Sequence, residues 1–219
     1  MKTSKLHTGF FITIEGCDGV GKTTHSFLLA ESLKKKSLDV VSIREPGGTK
    51  TGELIRDLVK GKLDVTPMAE LLLFQAARAE LVEKIIKPAL LTKKIVIADR
   101  FIDSTIAYQG YGRGIKIDNI NILNGIASDN IIPDVSILLD LPISKSLNRS
   151  KDRDQKKQRT QTRFEDESIE FHKKVLQGFR SIAKENPARW NIVNTSENKK
   201  LVAKKILNII TAKLDKTYY

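Results

Sequence analysis

Eight residues, Gly16 to Thr23, constrain this chain more than any others. They read Gly-Cys-Asp-Gly-Val-Gly-Lys-Thr and follow an apolar, β-branched run, Phe10–Glu15. The pattern G-x-x-x-x-G-K-[ST], set between a buried strand and a helix, is a phosphate-cradling loop. Its glycines let backbone N–H groups wrap a polyphosphate, and the helix that follows adds its positive N-terminal end. Gly16, Cys17, Asp18, Gly19, Val20 and Gly21 line that cradle; Lys22 reaches the outer phosphates and Thr23 holds Mg2+. The sequence therefore predicts a nucleoside triphosphate site on an α/β sheet.

A chain of 219 residues, 40% hydrophobic, can bury one sizeable core, so a single domain over 1–219 is expected. No segment approaches the ~18 uninterrupted apolar residues of a membrane span. The start, 1–7, is basic, but no signal-peptide apolar core follows it, which points to the cytoplasm. One cysteine, Cys17, excludes a disulfide within the chain and fits a reducing compartment. A backbone-amide setting is expected to lower its thiol pKa, so that oxidation would block ATP binding; the plainer reading is a small tolerated residue. His7, His25 and His172 lack metal-ligand spacing.

The net charge of +12 invites a nucleic-acid reading. Its distribution argues otherwise. Between Lys145 and Arg163 stand eight basic residues against two acidic ones, half of the total excess within nineteen residues. Such a local cluster suits a polyphosphate at least as well as a duplex.

Apolar periodicity predicts strands over 10–15, 39–44, 94–99, 135–141 and 189–193. Helices are predicted over 22–36, 51–60, 67–91, from about 104, 118–128, 143–150, 166–185 and 197–214. Thr66 and Pro67 open the long third helix, which Pro88 should bend or end early. Gly110–Gly114 reads as a turn, and the polar run Lys151–Thr162 as a mobile loop. The expected fold is a three-layer, phosphate-loop α/β domain, a parallel sheet of about five strands with helices on both faces. Asp99, closing the apolar strand Ile95–Ala98, would face the ligand crevice and can hold Mg2+, while Arg100 beside it can clamp a second phosphate. Taken alone, that Asp can equally cap a helix.

Four motifs now stand in one order: Glu15 to Thr24, Arg44-Glu-Pro-Gly-Gly-Thr49, Asp99-Arg-Phe101 and Ser104-Thr-Ile-Ala-Tyr-Gln-Gly110. Together they resemble the thymidylate kinase family, at that family's spacing and over nearly the whole chain. The resemblance implies ATP with Mg2+ as phosphoryl donor, dTMP as acceptor, and a homodimer built on helices. Phe74 and Arg78, four residues apart on one helix face, are implied to stack on thymine and donate to a base carbonyl. Alone, Phe74 within Leu71-Leu-Leu-Phe74 reads as core. Arg56 and Arg100 are implied to hold the dTMP phosphate, and Asp18 to lie near the sugar 3′-hydroxyl. Glu45, in an otherwise ordinary tight turn, joins the same site. Thr105 and Gln109 are implied to hydrogen-bond the base, and Tyr108 to exclude a ribose 2′-hydroxyl by bulk.

The segment at about 145–165 is the lid expected from the resemblance. Gly19-Val20 carries no arginine in the phosphate loop, as in the bacterial-type branch, where the lid supplies the catalytic arginine. That implicates Arg153, alongside Lys22, Asp99 and Arg100 as catalytic groups. Arg149 resembles the residue that packs on adenine, and Arg159, Arg163 and Glu165 complete the lid. Thr162 stands where the family commonly has Asp, and Lys156–Thr162 looks like extra length. Two rivals stay open: a kinase for another nucleoside monophosphate or a deoxynucleoside, and a nucleotide-dependent nucleic-acid binder. Neither nucleic acid nor membrane is expected as a partner.

Overall fold

Phe10–Glu15 (β1) is buried at every residue, as a strand must be when helices cover both of its faces. A computed structural model describes residues 9–61, 63–156 and 163–218; for 153–156 and 216–218 it describes the backbone alone. The other strands are Val40–Arg44 (β2), Ile95–Asp99 (β3), Val135–Asp140 (β4) and Trp190–Asn194 (β5). All pair in parallel, in the order β2-β3-β1-β4-β5. Side chains alternate across β1. Phe10, Ile12 and Ile14 enter one core, and Phe11 enters a second on the opposite face. The expected five-stranded, three-layer architecture is what the chain adopts.

Connections leave β1 toward β2 on one side and β4 toward β5 on the other. The carboxyl ends of β1 and β4 therefore flank a topological switch point, where open α/β sheets place their ligands. Register brings Ile14, Arg44 and Asp99 to one level at that end.

The helices are Lys22–Lys34 (α1), Lys50–Lys60 (α2), Pro67–Leu81 (α3), Lys87–Leu91 (α4), Ile102–Thr105 (α5), Ile117–Ser128 (α6), Ile143–Lys156 (α7), Ile169–Glu185 (α8) and Lys199–Tyr218 (α9). Ser168 caps α8 by accepting from the Phe171 N–H at 3.1 Å. Among the described residues no helix is long and apolar enough to cross a membrane.

Three readings are corrected. The long helix does not end early at Pro88: it widens into a π-helical segment, Val82–Ile86, in which the Lys87 N–H reaches back to the Val82 carbonyl. Widening one turn before the proline absorbs its missing donor and its ring without ending the helix. Gly110 and Gly112 are not in a turn but close a second π-helical segment, Ile106–Gly112. A Cβ at Gly110 would lie 2.5 Å from the Ile117 side chain, and one at Gly112 would lie 2.6 Å from the Phe171 ring. These glycines serve close packing, and only Gly114, at φ +79°, turns the chain. The basic run read as a loop is helical as far as Lys156. Lys, Arg and Gln are good helix formers, and extending an existing helix needs no buried face. Residues 157–162 lie outside the described residues.

Candidate active site at the switch point

The phosphate loop bends tightly between β4 and α7. Gly16, at φ +134°, has no room for a side chain: a Cβ there would sit 2.6 Å from the Leu139 carbonyl. At Gly19, φ +79°, it would meet the Ser146 carbonyl at 1.9 Å. Only glycine permits this course. Lys22, buried, donates to the Cys17 carbonyl at 2.7 Å and stands 3.9 Å from Asp18. Burial lowers its pKa, with Arg100 adding to the effect. The Thr23 hydroxyl donates to the Asp99 carboxylate at 2.5 Å, so the two residues read as metal ligands touch across the crevice. Oxygen donors of this kind suit Mg2+, a hard cation bound by few carboxylates.

Beside the loop, Gly19, Val20, Gly21, Thr24, Arg149 and Thr195 border a cavity of about 220 Å³. Arg149 donates to the Thr195 carbonyl at 3.2 Å, which fixes its guanidinium at the wall of this cavity. His25, on α1, is buried at the same wall, and His172 is buried on α8.

Cys17 reverses its expectation. The thiol is buried, and desolvation pushes its pKa up to about 12 against the pull of Lys22.

Arg100 links the loop to the second half of the site. It holds a left-handed backbone, φ +77°, a strained conformation for a side-chain-bearing residue of a kind that clusters at functional sites. Its guanidinium donates to the Gly16 carbonyl (3.1 Å), the Ser104 hydroxyl (3.0 Å), Asp18 (2.7 Å) and the Tyr108 hydroxyl (3.0 Å). Tyr108 in turn donates to Asp18 at 2.7 Å. Burial alone would raise the Asp18 carboxyl; Arg100, Lys22 and Tyr108 overcome it and hold the group well below the usual carboxylate range. Burial raises Tyr108 well above its ordinary value, so its hydroxyl stays a donor.

Arg56, on α2, donates to the Pro46 carbonyl at 2.6 Å. Burial and then Arg44 lower its pKa, and the fields of Asp99 and Arg100 also reach it. One turn later on the same helix, Lys60 carries an ammonium that burial, with Arg56, lowers to about 8. Asp18, Arg100 and Glu165 also act on it. Sequence reasoning missed Lys60; its four-residue step from Arg56 was the available signal.

Arg78 is almost fully buried, and all five of its N–H groups are engaged. They reach Glu45 (2.7–3.2 Å), Gln75 (3.0 Å), Asn124 (2.7 Å) and the Thr105 hydroxyl (2.9 Å). Burial raises the Glu45 carboxyl while Arg78 pulls it down. Phe74 is half-buried, edge-on to Phe164 at 5.9 Å between ring centroids. Tyr108 also meets Phe164 edge-on at 5.9 Å.

The lid residues divide. Glu165 accepts from the Ser150 hydroxyl at 2.8 Å, tying the element after the lid to α7. The Arg163 N–H donates to the Lys60 carbonyl at 3.3 Å and its side chain to Glu70, away from the phosphate loop. Arg159 and the Arg153 side chain lie outside the described residues. Glu70 and Arg113 were also missed; Glu70 precedes Phe74 and Arg78 in the same four-residue steps along α3.

The thymidylate kinase family model matches residues 14–206. The chain belongs to the thymidylate kinase family. It is 43% identical to a thymidylate kinase of Synechococcus sp. (strain JA-3-3Ab) over 204 residues, 93% of this chain and 96% of that protein. A thymidylate kinase of Thermoanaerobacter sp. (strain X514) is 40% identical over 203 residues, 92% of this chain and 97% of that one. The crystal structure of thymidylate kinase from Ehrlichia chaffeensis superposes with a TM-score of 0.76 at 39% identity. It covers 92% of this chain and 98% of the other. The family match thus spans the phosphate loop, the Arg100 junction, the Arg78 pocket and the Arg163–Glu165 element alike.

Proposed function

We propose that this chain transfers the γ-phosphoryl group of ATP to dTMP, giving dTDP and ADP, a step in dTTP synthesis. The observation that carries the reading is Arg100, which bonds the phosphate loop through Gly16 and the second pocket through Tyr108 with one guanidinium. Loop backbone and Lys22 hold the donor phosphates, and Arg149 packs on adenine. Thr23 and Asp99 would hold Mg2+, which when bound would neutralise charge on the transferring phosphates. Phosphoryl transfer demands positioning and charge stabilisation more than covalent chemistry. Arg56 and Arg100 grip the acceptor phosphate, and Arg153 is the lid arginine assigned to the transferring group.

Asp18, held ionised, accepts from the sugar 3′-hydroxyl, and Tyr108 fills the space a ribose 2′-hydroxyl would need. Phe74 stacks on thymine. Because every N–H of Arg78 is engaged, its contact with a base carbonyl is a shared one, through the donor that also serves Thr105. Glu45 keeps that guanidinium in place, and Gln109 lies at the base edge.

The unit is one domain over 1–219 with its lid at about 145–165, working in the cytoplasm as a homodimer. Three neighbouring helices support the dimer: α2 exposes Leu54 and Leu58, α3 Met68 and Leu72, and α6 Ile122 and Ile126. Apolar pairs at four-residue spacing on adjacent helices suit burial against a second copy.

ADP release measured with dTMP, dUMP, UMP, CMP and thymidine tests the reading. Fastest turnover is expected on dTMP. A better acceptor among the others, or ATP turnover indifferent to any acceptor, overturns it.

A further inference from the structure

Glu70 is fully buried within the apolar helix α3, on the stripe that continues through Phe74 and Arg78. A buried carboxylate requires partners. It accepts from the Gln109 side-chain amide at 2.7 Å, from Arg113 Nε at 3.2 Å and NH2 at 3.1 Å, and from Arg163. Gln109 is itself buried.

The chemistry fixes how Gln109 must lie. A carboxylate gripped by two guanidinium groups only accepts, so the end of the amide that Gln109 turns toward it is the NH2. The carbonyl oxygen then faces away from Glu70, and it makes no hydrogen bond among the described residues. That oxygen can only accept. Thymine and uracil present an N3–H donor between two carbonyls, whereas cytosine presents an N3 lone pair beside an amino group. Set opposite N3, a carbonyl locked in one orientation accepts from the N3–H of the first edge and meets the lone pair of the second.

We propose that Glu70 is a positioning residue: by capturing the Gln109 amide N–H it orients the Gln109 carbonyl toward the base, and so makes the acceptor pocket select an imide pyrimidine over cytosine. This rests on the reading that dTMP is the acceptor with its base at Phe74 and Gln109. Asn124 supplies an independent parallel within the same pocket: its Oδ1 accepts from Gln75 and Arg78, and its amide donates to the Ile102 carbonyl at 3.2 Å, so charged and backbone partners fix that amide too.

A purely structural role for Glu70, anchoring Arg113 and Arg163, makes a different prediction. Its loss would weaken all acceptors alike. The discriminating readout is therefore a ratio: KM for dTMP against the inhibition constant of dCMP, measured by competition in the full-length enzyme. Glu70→Gln, whose amide accepts either orientation of Gln109, is expected to shift this ratio in favour of dCMP by about tenfold. Gln109→Met is expected to shift it similarly, and the double variant by no more than either alone. A shift below about threefold in Glu70→Gln overturns the proposal, whatever happens to kcat. If that variant fails to fold, a shift below the same limit in Gln109→Met overturns it instead. Wild-type enzyme inert toward dTMP would refute the acceptor assignment itself, a separate outcome read in the same assay.

Discussion

The two halves of the site are built on opposite plans. The donor half is one unbroken stretch, Gly16–Thr23, whose work is done by backbone amides and by the absence of Cβ atoms. The acceptor half gathers side chains from the turns after β2 and β3, from α2, α3 and α5, from the second π-helical segment and the residue after it, and from the element after the lid. Its contacts form two buried hydrogen-bonded nets, one from Glu45 through Arg78 to Thr105 and one from Glu70 to Gln109 and Arg113. A backbone cradle tolerates the loss of a functional side chain without loss of fold. A buried net does not separate the two.

Lys22→Ala gives the largest expected effect on that contrast. The Lys22 side chain meets only its own loop among the described residues, the Cys17 carbonyl and the Asp18 carboxylate that Arg100 also pairs, so kcat should fall about 100- to 1,000-fold while the melting temperature barely moves. A collapse of Tm would break the comparison. Arg78→Ala should do the reverse. It strands Glu45 and costs about 3 kcal/mol of stability in denaturant titrations, with KM for ATP unchanged. The cost should be smaller at pH 5 than at pH 8, because burial already favours the protonated Glu45 and its proton relieves the unpaired charge.

Smaller effects sharpen the picture. Tyr108→Phe deletes the hydrogen bond to the charged Asp18 and the one accepted from Arg100, and should raise KM for dTMP by about tenfold. The ring remains, so discrimination against ribonucleotides should persist in competition with UMP.

Asp18 also sets an acid limit. Its folded pKa lies below the ordinary 3.8, so its stabilisation is complete above that value and disappears as pH falls through the folded one. Asp18→Asn should therefore show a shallower drop in Tm on acidification below about pH 4 than the wild type. Smallest of all, iodoacetamide at neutral pH should leave activity untouched, because the Cys17 thiol is buried with its pKa near 12.

Much of this was legible in the residues. All five strands were placed within a residue or two; β1, β3 and β4, covered on both faces, read as near-continuous apolar runs. The phosphate loop was legible because its spacing and its geometry are the same statement. The lid was misread where helix continued without an apolar face, and Gly110 and Gly112 were misread because a glycine placed for close packing looks like one placed for a turn. Glu70 and Lys60 escaped notice for another reason. A lone charge on a helix gives no sign of whether its partners come from solvent or from a segment forty residues away.

From the chain alone came whatever is local: the strand–loop–helix cradle, the glycines without room for a side chain, and Asp99 at the mouth of its strand. Those depend on backbone geometry and burial periodicity, which neighbours in sequence specify. Tertiary structure decided what the side chains of the second pocket do with one another. It saturated Arg78, turned the Gln109 amide with Glu70, and joined both halves through Arg100. Hydrogen-bond partnership there is a matter of distance and direction between residues that the chain keeps far apart, and only the packed sheet and its crossovers bring them within reach.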